Sequence, residues 1–177
     1  MLKNTKDQIL ETTQNLMSEK GYSQVSMSEI AEKVGIAKSS LYHFFSDKES
    51  LYGEIITLYI NSAKDIYKYK SKEAPSIKLL SSKIRKALNY GEKKGGLLVS
   101  FENIKWSPNM AEKINNSFAE LYKTLFETLE MTKIKEAEFA THFILDMSYA
   151  YIKKNQCGQK SWNINQFTNL LIKHLHV

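Results

Sequence analysis

The most suggestive chemistry in this 177-residue sequence is a cluster of polar tips on what reads as one short helix: Lys38, Ser39, Ser40, Tyr42 and His43. Leu41 and Phe45 stand four apart, so on a helix they share a face and turn inward while the polar set turns to water. Ammonium, hydroxyl, phenol and imidazole groups are partners for phosphate oxygens and base edges. A short helix carrying them can enter a DNA major groove if a second helix braces it. Catalytic and metal-binding sets are thinner. His142 and Asp146 are four apart on one expected helix and could share a metal, but no further ligand stands beside them, which favours a local hydrogen-bonded pair. His174 and His176, two apart, face different sides, and Cys157 has no evident base near it in sequence. A search for paired carboxylates and nucleophile–base sets yields little. No metal, no cofactor and no catalysis are therefore expected, and a small helical enzyme is the less favoured reading.

The elements that must position the polar edge are helices. Seven Gly and two Pro among many Leu, Ile, Lys and Glu leave few breakers, which favours an all-α fold of about nine helices. Thr5 with Gln8 reads as a capping box for the first helix, whose stripe is Ile9, Thr13, Leu16, Met17 and Lys20, and Gly21 ends it. Ser26 to Glu29 reads as a second box, opening a short helix with Ile30, Ala31 and Val34 inward. Gly35 breaks that helix, and the polar-edged helix follows over about Lys38 to Phe44. Ser46 to Glu49 reads as a third box, starting a long helix with Leu51, Ile55, Leu58, Ser62 and Ile66 on one side. Pro75 suits the first turn of the next, with Ile77, Leu80, Ile84 and Leu88 in step, up to Gly95-Gly96. A short piece from Leu97 to Trp106 precedes Ser107-Pro108, an N-cap followed by proline at the first helical position. Ala111, Ile114, Phe118, Leu121, Leu125 and Leu129 stripe the helix that starts there. Another runs from about Lys133 to Gln156, and the last begins near Trp162.

Residues 21 to 51, GYSQVSMSEIAEKVGIAKSSLYHFFSDKESL, closely resemble the N-terminal signature of the tetracycline-repressor (TetR) family. Gly21-Tyr22, Ser26-Met27, Ile30-Ala31, Gly35, Lys38, Leu41-Tyr42, Phe45, Lys48-Glu49 and Leu51 stand in one unbroken register. About 50 residues are covered, and beyond them only GGLL at 95 to 98 is similar to a turn seen in many members. The resemblance implies a helix-turn-helix DNA-binding domain over 1–50 and a ligand-binding and dimerisation domain over 51–177. It implies that Tyr42 and Lys48 contact phosphates, that Ser26 caps the bracing helix near another, and that Lys38, Ser39, Ser40 and His43 lie nearest the bases. It further implies a homodimer on double-stranded operator DNA, most simply a repressor released from a palindromic operator by a small-molecule effector. An activator or a ligand-independent regulator is the alternative. The sequence departs from the family pattern at Ala37, usually a serine or threonine that can cap the recognition helix, and at Phe44, often tyrosine or histidine.

The rest of the chain supports that organisation unevenly. The formal charge is +6, yet residues 1 to 52 hold six Lys against seven acids and residues 61 to 96 hold ten Lys or Arg against three. The basic excess thus lies outside the DNA-reading motif and reads as a solvated face of two helices, with nonspecific attraction to phosphate by Lys64, Lys68, Lys70, Lys72 and their neighbours as the alternative. Around 139 to 152 the helix is apolar on two sides, Phe139, Phe143, Met147 and Tyr151 on one and Ala140, Ile144, Ser148 and Ile152 on another, so it must be buried twice. A symmetry mate can cover the second side, and Phe139, Met147, Tyr151, Phe167 and Leu171 are the expected dimer-interface residues. Tyr59, Phe101, Trp106, Tyr122, Phe126 and Phe143 are candidates to line a pocket for a small apolar or aromatic ligand. The single cysteine fits a reducing compartment. No apolar run nears the roughly 18 to 20 residues of a membrane span, and MLKNTKDQIL has no signal-peptide apolar region. A soluble, cytoplasmic protein with no membrane partner is expected.

Overall fold

The computed structural model describes residues 4–70, 74–94, 104–156, 158 and 163–175. Among them there are eight α-helices, one 3-10 turn and no strand, the all-α class expected and close to the nine helices counted. In chain order they are α1 (Thr5–Lys20), the turn Tyr22–Gln24, α2 (Met27–Val34), α3 (Lys38–Phe44), α4 (Lys48–Tyr67), α5 (Ile77–Lys94), α6 (Pro108–Met131), α7 (Ala137–Gln156) and α8 (Ile164–His174). Gly95-Gly96, most of the piece from Leu97 to Trp106, Cys157, Trp162 and His176 lie outside the described residues.

The chain packs as two compact units. The first comprises Met1–Tyr59 with Gly96–Ile114, and the second Ile60–Gly95 with Asn115–Val177. In the first, α1 packs on α2 and α2 on α3, around Ile9, Met17, Ile30, Leu41, Leu51, Tyr52 and Ile56, all essentially without solvent exposure. Each such side chain contributes about 1.5–3 kcal/mol by leaving water. In the second, α5 packs on α7 and α8, with Leu80, Ile84, Leu88, Leu125, Leu129, Ile144 and Leu171 inside.

Several helix starts fall one residue from their expected place. Asn4, not Thr5, caps α1, its side chain accepting the Lys6 N–H at 3.2 Å. Asp47, not Ser46, caps α4: its carboxylate accepts the Ser50 N–H at 2.6 Å, and Ser50 Oγ accepts the Asp47 N–H in return. Pro75, expected in the first turn of α5, lies just before it, and Ser76 caps the helix, its hydroxyl accepting the Leu79 N–H. Ser26 does cap α2, with Oγ 3.1 Å from the Glu29 N–H. In α4 Leu51 and Ile55 are buried as expected, and so are Tyr52, Ile56, Tyr59 and Ile60 on other sides, while Leu58 is exposed. Lys20, placed on the inner stripe of α1, is exposed and pairs with Glu29 instead.

Gly35 and Lys133 both hold positive φ after helix ends, and they invite opposite substitutions. Gly35 (φ 78°, ψ 33°) closes α2, its N–H and that of Ile36 returning to Glu32 and Ala31 carbonyls. Nothing lies within 4 Å of a Cβ added there, so only backbone strain opposes one. Gly35→Ala should cost about 1–2 kcal/mol, read as a lower midpoint in urea with an unchanged slope. Lys133 (φ 60°) plays the same part after α6, where its N–H and that of Ile134 return to Glu130 and Leu129. Lys133→Gly should raise stability by about 0.5–1 kcal/mol, since glycine carries no such strain. A midpoint that falls instead would show that the lysine side chain contributes more than its backbone strain removes.

Candidate nucleic-acid interface

The polar edge is built by three successive local decisions. Ser26 starts α2 where the chain leaves the Tyr22–Gln24 turn, and the Glu29 carboxyl is held below its ordinary range, first by Lys20 and also by the Ser26 backbone N–H. Gly35 then reverses the chain in the short link to α3. Leu41, fully buried, and Phe45, 6% exposed, press α3 against the unit. At 100° per residue, Ser39 and His43 must then stand opposite the Leu41–Phe45 side, flanked by Ser40 and Tyr42. Lys38, Ser39, Tyr42 and His43 are exposed and Ser40 is half-exposed. The Lys38 ammonium lies 6.0 Å from the Tyr42 ring centroid. Ala37 makes no side-chain cap on α3, as its type requires. Ser26 thus sits at the start of α2, and Lys38, Ser39, Ser40, Tyr42 and His43 all keep solvent exposure on α3.

Lys48 is different. Its ammonium donates to the Tyr22 carbonyl at 2.9 Å and the Val25 carbonyl at 3.0 Å, and sits 4.3 Å from the Tyr22 ring centroid. Burial lowers its pKa. These contacts make Lys48 a brace joining the start of α4 to the turn before α2. That brace continues inward: Tyr22 lies 5.0 Å from Tyr52, and Tyr52, fully buried, stacks on Trp106 at 5.7 Å with rings 7° from parallel. Burial raises the pKa of both phenols. Around the stack, Glu49 accepts the Ser107 N–H at 2.7 Å, and Glu54 accepts from Lys113 at 2.8 Å and Lys6 at 3.4 Å. Lys113 is the main cause of the lowered Glu54 pKa. At Gly53 a Cβ would run into the Met110 thioether, which would have to shift. Sequence reading missed Tyr22, Tyr52 and Gly53 as parts of this support; Gly21-Tyr22 and Lys48-Glu49 in the family signature were its only trace.

The candidate ligand residues fall in both units. In the first unit Tyr59 is buried and Trp106 belongs to the Tyr52 stack, while Phe101 lies outside the described residues. In the second, Tyr122 stacks with Phe126 at 6.5 Å and meets His142 at 4.8 Å. Phe143 lies instead between Phe139 and His174. Of the expected dimer residues, Tyr151, Phe167 and Leu171 are buried within the second unit, the first two stacked at 4.4 Å. They face their own unit, so that expectation is corrected for these three. Phe139 is 63% exposed and Met147 half-exposed. His142 and Asp146 are both exposed, and among the described residues no three His, Cys, Asp or Glu are grouped to hold a metal. No described helix is long and apolar enough to cross a membrane.

A braced two-helix turn with an exposed polar second helix, on an otherwise helical chain, defines a helix-turn-helix protein. Residues 9–55 match the bacterial regulatory proteins of the tetR family. The chain is 41% identical over 51 residues to the biofilm operon icaADBC HTH-type negative transcriptional regulator IcaR of Staphylococcus aureus, a match covering 29% of this chain and 27% of that protein's length. Among solved structures, the transcriptional regulator FadR from Bacillus subtilis in complex with stearoyl-CoA aligns with a TM-score of 0.75 and 17% identity, over 96% of this chain and 97% of that one. The TetR family transcriptional regulator PfmR from Thermus thermophilus aligns with a TM-score of 0.72 and 20% identity, over 95% and 96%. The N-terminal segment is that of the TetR family, and the chain has the fold of TetR-family regulators.

Proposed function

We propose that this chain is a cytoplasmic, ligand-responsive transcription regulator that binds a palindromic operator as a homodimer and represses until a small apolar or aromatic molecule releases it. Residues 1–50 read the DNA and residues 51–177 sense the ligand and dimerise. The observation that carries the reading is α3 itself: held by Leu41 and Phe45, it turns Ser39, Ser40, Tyr42 and His43 outward together. Lys38, Ser39, Ser40 and His43 face base edges, while Tyr42 and the Ser26 end of α2 meet phosphates, which set register without specifying sequence. Lys48 acts one step back by holding the turn that presents Ser26.

A dimer of this kind holds two recognition helices about 34 Å apart, one turn of duplex. Ligand releases DNA by binding better to an arrangement in which that spacing is wrong, and the shift can be no larger than its difference in affinity for the two states. The relative named as a negative regulator supports the repressor sign, and the fold's capture with stearoyl-CoA in another protein supports an apolar effector. Phe139 and Met147 are the dimer candidates that remain outward, while Tyr122 and Phe126 are the ligand candidates that cluster.

Selection of duplexes from a random pool by the purified protein tests this directly. Enrichment of an inverted repeat is expected, and His43→Ala should relax its sequence at one position per half-site, costing about tenfold in affinity. No preference for any palindromic duplex at low salt would reject the assignment.

A further inference from the structure

The first unit exposes only three large apolar side chains among its described residues: Tyr42, Phe44 and Leu58. Two of them lie on its seven-residue helix α3. Phe44 is 43% exposed, although its neighbour Phe45 supplies the inward anchor. An isolated exposed apolar residue is ordinary on a protein surface. Phe44 differs in its place. Counting 100° per residue, it stands one turn after Ser40, between the Ser40 edge of the face the recognition residues share and the buried Leu41 side. Unlike the five polar recognition residues it can neither donate nor accept a hydrogen bond.

In the major groove one base carries an apolar group, the C5-methyl of thymine, and an aromatic ring can read it by contact alone. We propose that Phe44 is a specificity-determining residue that packs against a thymine methyl in each operator half-site, so that the operator carries an A·T pair in fixed orientation there. The polar members of α3 fix hydrogen-bonding bases, and Phe44 adds one position chosen by shape and desolvation. The inference rests on the operator-binding reading above and names a feature of that operator.

Removing the methyl alone tests it. Once an operator has been selected, each thymine of a half-site is replaced in turn by uracil, which pairs identically and lacks the methyl, and affinities are measured for the wild-type protein, Phe44→Ala and Phe44→Leu. One uracil position should weaken wild-type binding about fourfold, the effect expected for one buried methyl group. Phe44→Ala should bind the thymine operator about five- to tenfold more weakly and show no further loss at that position, and Phe44→Leu should retain part of the discrimination. The exposed side chain makes unfolding of either variant unexpected, and far-ultraviolet circular dichroism checks this. If every uracil position affects wild type and Phe44→Ala equally, or if Phe44→Ala binds as well as wild type, the inference is overturned while operator binding stands. If the wild-type protein selects no duplex at all, the repressor reading fails first and this inference with it.

Discussion

Leu41→Ala and Tyr42→Ala, adjacent changes on α3, are expected to fail in opposite ways. Leu41 is fully buried between α3 and the rest of its unit, and removing three carbons there forfeits their transfer free energy and leaves a cavity. The expected cost is about 2–5 kcal/mol, a large fraction of the stability of a small domain. Operator binding should vanish because α3 is no longer held. Tyr42 is 44% exposed, with the Lys38 ammonium 6.0 Å from its ring centroid. Its loss should change stability by no more than about 0.5 kcal/mol, yet weaken operator binding at least tenfold if its phenol contacts a phosphate. Denaturant titration and operator titration of the two variants give the four numbers needed. Equal stability losses would mean that α3 is not seated as described, and unchanged operator affinity for Tyr42→Ala would remove the phosphate role.

Lys83→Met should lower the melting temperature by roughly 3–8 °C, the shift expected for about 1–3 kcal/mol in a chain of this length. Lys83 is only 5% exposed. Its ammonium donates to the Lys68 carbonyl at 2.9 Å and the Ile66 carbonyl at 3.3 Å, and lies 5.1 Å from the Tyr69 ring centroid. Those carbonyls belong to the last turn of α4 and the residues just after it, where a helix has no internal donors left and a cation is favoured. Thr128 donates to the Tyr67 carbonyl at 3.0 Å, and the hydroxyls of Tyr69 and Thr132 share a hydrogen bond, so α5 and α6 together close the end of α4. Methionine keeps the bulk of the stem but donates nothing. Hydrogen exchange should therefore quicken in residues 64–70 before it does elsewhere in the second unit. A melting point within a degree of wild type would show that water serves those carbonyls as well as the ammonium does.

What could be read in advance follows the range of the interactions involved. The bounds of α3, Lys38 to Phe44, were legible because Gly35 and the Leu41–Phe45 pair are local signals. The caps of α1 and α4 were misplaced by one because Asn4 and Thr5, and likewise Ser46 and Asp47, are adjacent residues both able to cap. Only the backbone dihedrals decide between them. Leu58 was set inside because α4 has apolar residues on more than one face, and periodicity does not say which face finds neighbours. The start of α7 was placed at Lys133 because a lysine does not advertise a left-handed turn as Gly35 does. For the site, the polar edge was visible in residue types. Lys48 was not, because its partners Tyr22 and Val25 lie more than twenty residues earlier, and a lysine in such a motif has the same appearance in sequence whether it meets carbonyls or phosphate. Tyr151 and Phe167 were given to a partner subunit because an apolar row does not reveal that another helix of the same chain already covers it.

The stacking of Trp106 on Tyr52 gives the first unit a built-in optical reporter. The chain has two tryptophans, so Trp162→Phe leaves one indole, seated on the support behind the recognition helix. Its emission should shift to the red when that support opens. Melting of the first unit could then be followed by light alone, separately from the far-ultraviolet signal to which every helix contributes.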